Sequence, residues 1–183
     1  MVNLARSGFD AHGIEPSPSF REFAITHTGL SPDRIKLASI EDAEFANDSF
    51  DFITFGAVLE HLPQPAAALM RTLRWMRPNG LIHVEVPSSD WLMARLVDLA
   101  YRMQGLDYTC HLSPLHPPYH LFEFTQKSFD SFASRVGCEV AFRHMYVGAS
   151  YAPRRLDRIL KRAMAATNTG MQLEVWLRKT ATR

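Results

Sequence analysis

Residues 50–86 read FDFITFGAVLEHLPQPAAALMRTLRWMRPNGLIHVEV. This stretch decides the fold. Phe50–Phe55 is aromatic and β-branched and stops at Gly56, which reads as a strand buried on both faces. Pro65 opens a helix whose apolar positions Leu69, Leu73 and Met76 recur at helical spacing. Arg77-Pro78-Asn79-Gly80 reads as a turn, and Leu81–Val86 as a second strand stopped by Pro87. A strand, a crossover helix and a strand imply a parallel pair.

The same alternation extends outward. Upstream, residues 2–7 read as a helix end stopped by Gly8, and Asp10–Glu15 as a short strand. Ser17 or Ser19 caps a helix running to about Thr28, and Arg34–Ala38 is a further strand. Downstream, Asp90–Met103 reads as an amphipathic helix and residues 105–124 as a long loop rich in His, Pro and Tyr. A helix follows through Phe129, Phe132, Ala133 and Val136, then a strand over Cys138–Val147. Arg154–Ala166 is a basic helix and Met171–Leu177 a last strand. The fold class expected is α/β: a mostly parallel sheet, helices on both faces, and an antiparallel edge from the last two strands.

Composition fits one domain spanning 1–183. The chain is 46% hydrophobic and 21% charged, with apolar surface enough to offset the ordering entropy. A formal net charge of +1 supplies no global field for nucleic acid or an acidic membrane. Cys110 and Cys138 lack CxxC spacing and read as reduced thiols. The N-terminus lacks the pattern of a signal peptide, and residues 91–101, carrying Arg95 and Asp98, are too short and charged to span a bilayer. A cytoplasmic protein is expected.

In open parallel sheets, ligands bind beyond the carboxyl ends of the strands. Four features fall there. Glu15 ends a strand, and an ionised carboxylate accepts the two hydrogen bonds of a ribose's vicinal hydroxyls; a solvated loop acid is the alternative. Ser39-Ile40-Glu41-Asp42 offers backbone groups and a flat apolar side chain to an adenine, or is an ordinary loop. Gly56 and Ala57 lack bulk, so a ligand can approach the backbone. Glu60-His61 suits acid/base chemistry or a metal, or caps the local turn. The loop bearing His111, His116, Tyr119, His120, Phe122 and Phe124 reads as a substrate-facing lid or as packing on the sheet. Pro117-Pro118 keep His116 and His120 off a common helical face, which disfavours zinc. The basic helix reads as a surface element, with peripheral membrane contact as the other reading.

These motifs in this order carry a resemblance. Residues 44–88 resemble the middle of a class I S-adenosylmethionine-dependent methyltransferase: an FD strand, an EHL helix start, a turn of the L-x-P-G-G type written here Met76–Gly80, and a strand ending EVP. HPPYHLFEFTQKSFDSFASRVGCEV (residues 116–140) is similar to its H-x-x-x-F-T segment, and DAHGIEPSP (residues 10–18) to its second strand and ribose-holding acid. The resemblance covers about residues 2–150 and implies a Rossmann-like fold with S-adenosylmethionine as cofactor. It implies that Glu15 holds the ribose, Pro16 and Ile40 flank the adenine, and Glu41 meets its amino group. Gly56 and Ala57 line the methionine side. His61 and His120 are the candidate catalytic bases for methyl transfer to an O, N or C nucleophile of a small molecule. Residues 88–124 form the substrate-side insert.

Two departures matter. The family's glycine-rich loop after its first strand is missing, so the chain reads as N-terminally truncated, with the central first strand absent and neighbouring backbone unpaired. An open edge of that kind promotes dimerisation or aggregation. Some relatives bind a divalent metal through E-x-x-E-H; here Ala57 stands in the first acid position, and no metal is expected. The competing function is a catalytically inactive remnant, or a binding subunit that needs a partner. A nucleotide-binding oxidoreductase accounts less well for the EHL–RPNG–EVP order.

Overall fold

The computed structural model describes residues 1–180, apart from His111, His116, Pro118 and Ala149. Its contacts fall into two units, Met1–Ala46 and Asn47–Arg183. Among the described residues, no helix is long and apolar enough to cross a membrane.

The first unit holds helix α1 (Val2–Arg6), strand β1 (Gly13–Glu15), helix α2 (Pro18–Thr28) and strand β2 (Ile35–Leu37). β1 and β2 pair in parallel, Gly13 opposite Ile35 and Glu15 opposite Leu37. Ser17 is the cap of α2: its hydroxyl accepts the Phe20 amide N–H, and Pro18 occupies the first turn. Gly29, at φ 70°, closes the helix in the left-handed conformation that glycine adopts without strain. Arg21 then donates to the Ile35 and Pro32 carbonyls, both at 2.6 Å, and ties α2 to the chain entering β2. The apolar pattern of α2 does not become a core face: it buries no residue, and Phe20 is 68% exposed. Ile35, Ile40 and Ala43 are the buried side chains of this unit.

The second unit is built on a four-stranded sheet in the order β3-β4-β6-β5. Strand β3 (Phe50–Gly56) runs parallel to β4 (Met76–Pro87) and is joined to it by helix α3 (Pro65–Trp75). Strands β5 (Cys138–Tyr146) and β6 (Gln172–Lys179) pair antiparallel, and β6 also lies antiparallel on β4. The α/β class, the parallel early strands and the antiparallel edge are those read from the sequence. On α3, Leu69 and Leu73 are buried as their spacing requires. Helices α4 (Leu92–Met103), α5 (Gln126–Val136) and α6 (Arg154–Thr167) complete the unit. Thr125 caps α5 in a reciprocal pair with Ser128.

One sheet face is the core. Ile82, Val84 and Val86 face Leu177, Val175 and Leu173 across the β4–β6 ladder, all essentially fully buried. The opposite face is half-buried and polar. There Glu174 accepts from the Trp176 indole at 2.7 Å and the Tyr146 hydroxyl at 2.8 Å. His83 Nε2 lies 3.3 Å from the same carboxylate, and its Nδ1 is 2.8 Å from the Thr54 hydroxyl. Burial works to raise the Glu174 pKa, but these hydrogen bonds and His83 overcome it and hold the carboxyl below its ordinary value.

Two expectations need correction. β3 is not buried on both faces: it is an edge strand of its sheet, and Asp51 and Thr54 are exposed. Residues 77–80 do not end the segment as a free turn. They lie within β4, where Asn79 takes φ 64° and the register with β3 shifts, so the sequence RPNG forms a bulge rather than a boundary. Glycine suits position 80, because a Cβ would crowd the Met76 methyl and two backbone oxygens, those of Arg77 and Asp51, at 3.0 and 3.1 Å.

The strands form two hydrogen-bonded sets rather than one, and β1 and β3 each keep one edge without a strand partner among the described residues.

Candidate active site

In the second unit the candidate site grows from the carboxyl end of β3. Gly56 is exposed, and a Cβ built on it would meet nothing within 4 Å. Ala57 follows at φ 51°, its amide N–H held by the Glu85 carbonyl at 2.9 Å. This leaves open space against bare backbone, where a ligand could approach the main chain closely. The chain then turns through a short 3-10 helix, Leu59–His61, which buries Leu59 and Glu60.

The loop of residues 105–124 returns to this turn. The Glu60 carbonyl accepts the Leu121 and Phe122 amides at 2.8 and 3.3 Å. Ser113, itself buried, holds His120 from both sides: its N–H donates to the His120 carbonyl at 3.1 Å, and its hydroxyl accepts the His120 N–H at 3.2 Å. The outcome is that the His61 and His120 rings lie 4.8 Å apart, centre to centre. At the far end of the loop, the Phe124 carbonyl accepts from the Ser89 amide and hydroxyl, joining the loop to the end of β4.

Glu60 is the residue that sequence reasoning undervalued. Its side chain is 2% exposed, its Oε1 lies 3.9 Å from His61 Nε2, and its Oε2 has no hydrogen-bond partner among the described residues. His61 Nδ1 faces the Tyr119 carbonyl at 3.4 Å. A carbonyl only accepts, so in this contact Nδ1 is the donor, while Nε2 is the ring nitrogen turned toward Glu60. Glu60, His61 and His120 bring one donor atom each within 4.8 Å of one another. That set could take up a proton or hold a divalent cation. His111 and His116, the other candidates in the loop, lie outside the described residues.

The remaining candidates lie in the first unit. Glu15 ends β1 half-buried, with Oε1 accepting the Ser17 amide at 2.9 Å; its other oxygen makes no hydrogen bond among the described residues. Pro16 and Glu41 are exposed, whereas Ile40 is buried. Ser39 and Asp42 close a tight turn around Ile40 and Glu41, hydroxyl to carboxylate at 2.8 Å.

A family model described as a methyltransferase domain matches residues 1–141. The chain belongs to this methyltransferase family. That is the class I S-adenosylmethionine-dependent group whose motifs the sequence carries. The ubiquinone biosynthesis O-methyltransferase of Photobacterium profundum is 28% identical over 81 residues, covering 43% of this chain and 34% of that protein. The mitochondrial enzyme of the same name from Schizosaccharomyces pombe is 30% identical over 102 residues, covering 53% of this chain and 36% of that protein. The matched part therefore spans about a third of the length of these curated relatives. A solved S-adenosylmethionine-dependent methyltransferase from Methanosarcina mazei superposes with TM-score 0.67 at 16% identity, over 99% of this chain and 87% of that one. One from Archaeoglobus fulgidus gives 0.64 at 10% identity, over 97% and 79%. At these identities the likeness is one of fold.

Proposed function

We propose that the chain binds S-adenosylmethionine and transfers its methyl group to an O, N or C nucleophile of a small molecule. The observation that carries this reading is the open backbone at Gly56 followed immediately by the Glu60–His61–His120 cluster, in a chain of the methyltransferase family. When bound, the cofactor supplies an electrophilic sulfonium methyl. The chain's own residues hold and orient. In the first unit, the Glu15 carboxylate offers an acceptor for ribose hydroxyls, Pro16 and Ile40 offer apolar faces to an adenine, and Glu41 offers an acceptor to its amino group. Gly56 and Ala57 admit the methionine end against bare backbone. Alignment for in-line displacement supplies much of the rate.

The acceptor nucleophile must shed a proton as it gains the methyl. His61 takes it in its neutral form, and His120 is the second base beside it. The buried Glu60 carboxylate stabilises the imidazolium so formed. No metal is assigned a part: on this reading EDTA leaves the rate unchanged, and a loss reversed by a divalent ion would recast the three residues as ligands.

The test is calorimetric titration of the chain with S-adenosylhomocysteine, repeated on Glu15→Ala. Binding that the substitution abolishes supports the reading. A folded, monodisperse chain that binds nothing would sink it in favour of an inactive remnant or a subunit completed by a partner.

A further inference from the structure

Helix α4 is amphipathic the wrong way round. Its one buried residue is the small Ala94. The larger apolar side chains Leu96, Leu99 and Met103 recur at spacings of three and four, an exposed stripe on the side away from Ala94. Leu99 is 55% and Met103 81% exposed, and Leu106 just beyond the helix is also exposed. Arg95 and Arg102 flank the stripe, both exposed. The helix's one acid, Asp98, accepts the Cys110 amide at 2.8 Å and so faces the protein.

The neighbouring helix α6 has the matching charge. Trp91, Ala94 and Met164 form one buried cluster, with Leu92 and Leu160 packed against it, so α4 and α6 are adjacent elements. Arg154, Arg155, Arg158 and Arg162 of α6 are exposed, as are Leu156 and Ile159, the latter 63%. Its single acid, Asp157, is occupied by Ser150 at 2.6 Å and Lys161 at 3.0 Å. A chain of net charge +1 thus gathers basic and outward apolar side chains on two adjoining helices.

We infer that α4 and α6 form a docking surface for an anionic lipid bilayer. Leu96, Leu99 and Met103 enter the acyl boundary, and the arginines meet the phosphates of the headgroups. Charge decides the occupant. A second copy seated on this surface would bring like-charged arginines together, which association disfavours. A nucleic acid would neutralise the arginines but leave the apolar stripe in water.

The test is co-sedimentation of the full chain with vesicles of equal parts phosphatidylglycerol and phosphatidylcholine, against phosphatidylcholine alone. The chain pellets with the anionic vesicles and stays in solution with the neutral ones. The double variant Leu99→Ser/Met103→Ser, at positions too exposed to support the core, keeps the circular dichroism spectrum and loses vesicle binding about ten-fold or more. Arg155→Ser and Arg158→Ser each weaken it about five-fold. Three results would overturn the inference: no preference for anionic vesicles, full binding by the apolar double variant, or a double variant that only converts a dimer to a monomer. Equal retention on a single-stranded oligonucleotide, insensitive to the apolar substitutions, would assign the arginines to nucleic acid and overturn it as well.

Discussion

Replacing Glu60 by methionine should make the protein more stable and less active. The carboxylate is buried, its nearest cationic candidate is 3.9 Å away, and one oxygen lacks a hydrogen-bond partner among the described residues. A buried polar group left unsatisfied costs about 1–3 kcal/mol. Methionine is unbranched, of similar length and adaptable to the space. The substitution removes the penalty while keeping most of the packing. The expected gain is about 1–2 kcal/mol, and for a chain of this size each kcal/mol moves Tm by about 2–4 °C. Calorimetry and urea unfolding at constant m-value would measure it. Methyl transfer would fall in the same variant, because the imidazolium at His61 loses its counter-charge. The backbone tie of Glu60 to Leu121 and Phe122 is unaffected by the side chain, so the loop stays attached. A Tm that drops by several degrees would refute the reasoning. It would mean that the carboxylate makes a strong interaction in the folded protein.

Other outcomes follow from single positions. Gly56→Leu places a side chain in open space on exposed backbone, so stability should change by less than about 1 kcal/mol while affinity for S-adenosylhomocysteine collapses; unchanged affinity in calorimetry would remove Gly56 from the cofactor site. Met164→Ala empties the fully buried contact between α4 and α6 and should cost about 2–5 kcal/mol in urea unfolding. Burial pushes the Cys138 thiol up from 9.0 to about 11. The folded state therefore keeps a proton that the unfolded state releases, so stability falls as pH rises through that interval, and Cys138→Ala should flatten this alkaline limb in a pH series of melts. Thiol labelling at neutral pH should likewise spare Cys138 until the protein unfolds.

Much of the second unit was legible because local signals agreed with the tertiary structure. Pro65, Leu69 and Leu73 announce α3 and its buried face. Thr125 and the αL glycine Gly137 bracket α5 as caps should. The reading failed where burial depends on distant chain. Nothing in FDFITF says that one side of β3 is an open sheet edge. Nothing in the apolar spacing of α4 says which way the stripe points. The RPNG bulge looks like a turn locally, and only the ladder to β3 makes it part of β4. The candidate site was half legible. Glu60-His61 and His120 could be singled out, but their meeting depends on a contact between residues 58 apart, His61 and Tyr119, and on paired amides with no side-chain signature. The burial of Glu60 is likewise a product of that return, since in sequence it is an acid beside a histidine at a helix start.

The segment that carries His120 is tied by main chain to the Glu60 turn and to the end of β4: the Glu60 carbonyl receives residues 121 and 122, and the Phe124 carbonyl receives the Ser89 amide. Amides and carbonyls are common to nearly every residue, so such moorings survive substitution of the side chains they hold in place. Tyr119, Phe122 and their neighbours can therefore be exchanged without casting the loop adrift. The exposed side chains of this segment are free to diversify while His120 keeps its station beside His61. Proline at position 121 or 122 is the exception, for proline alone among the residues would take away an amide, and it marks where that freedom ends.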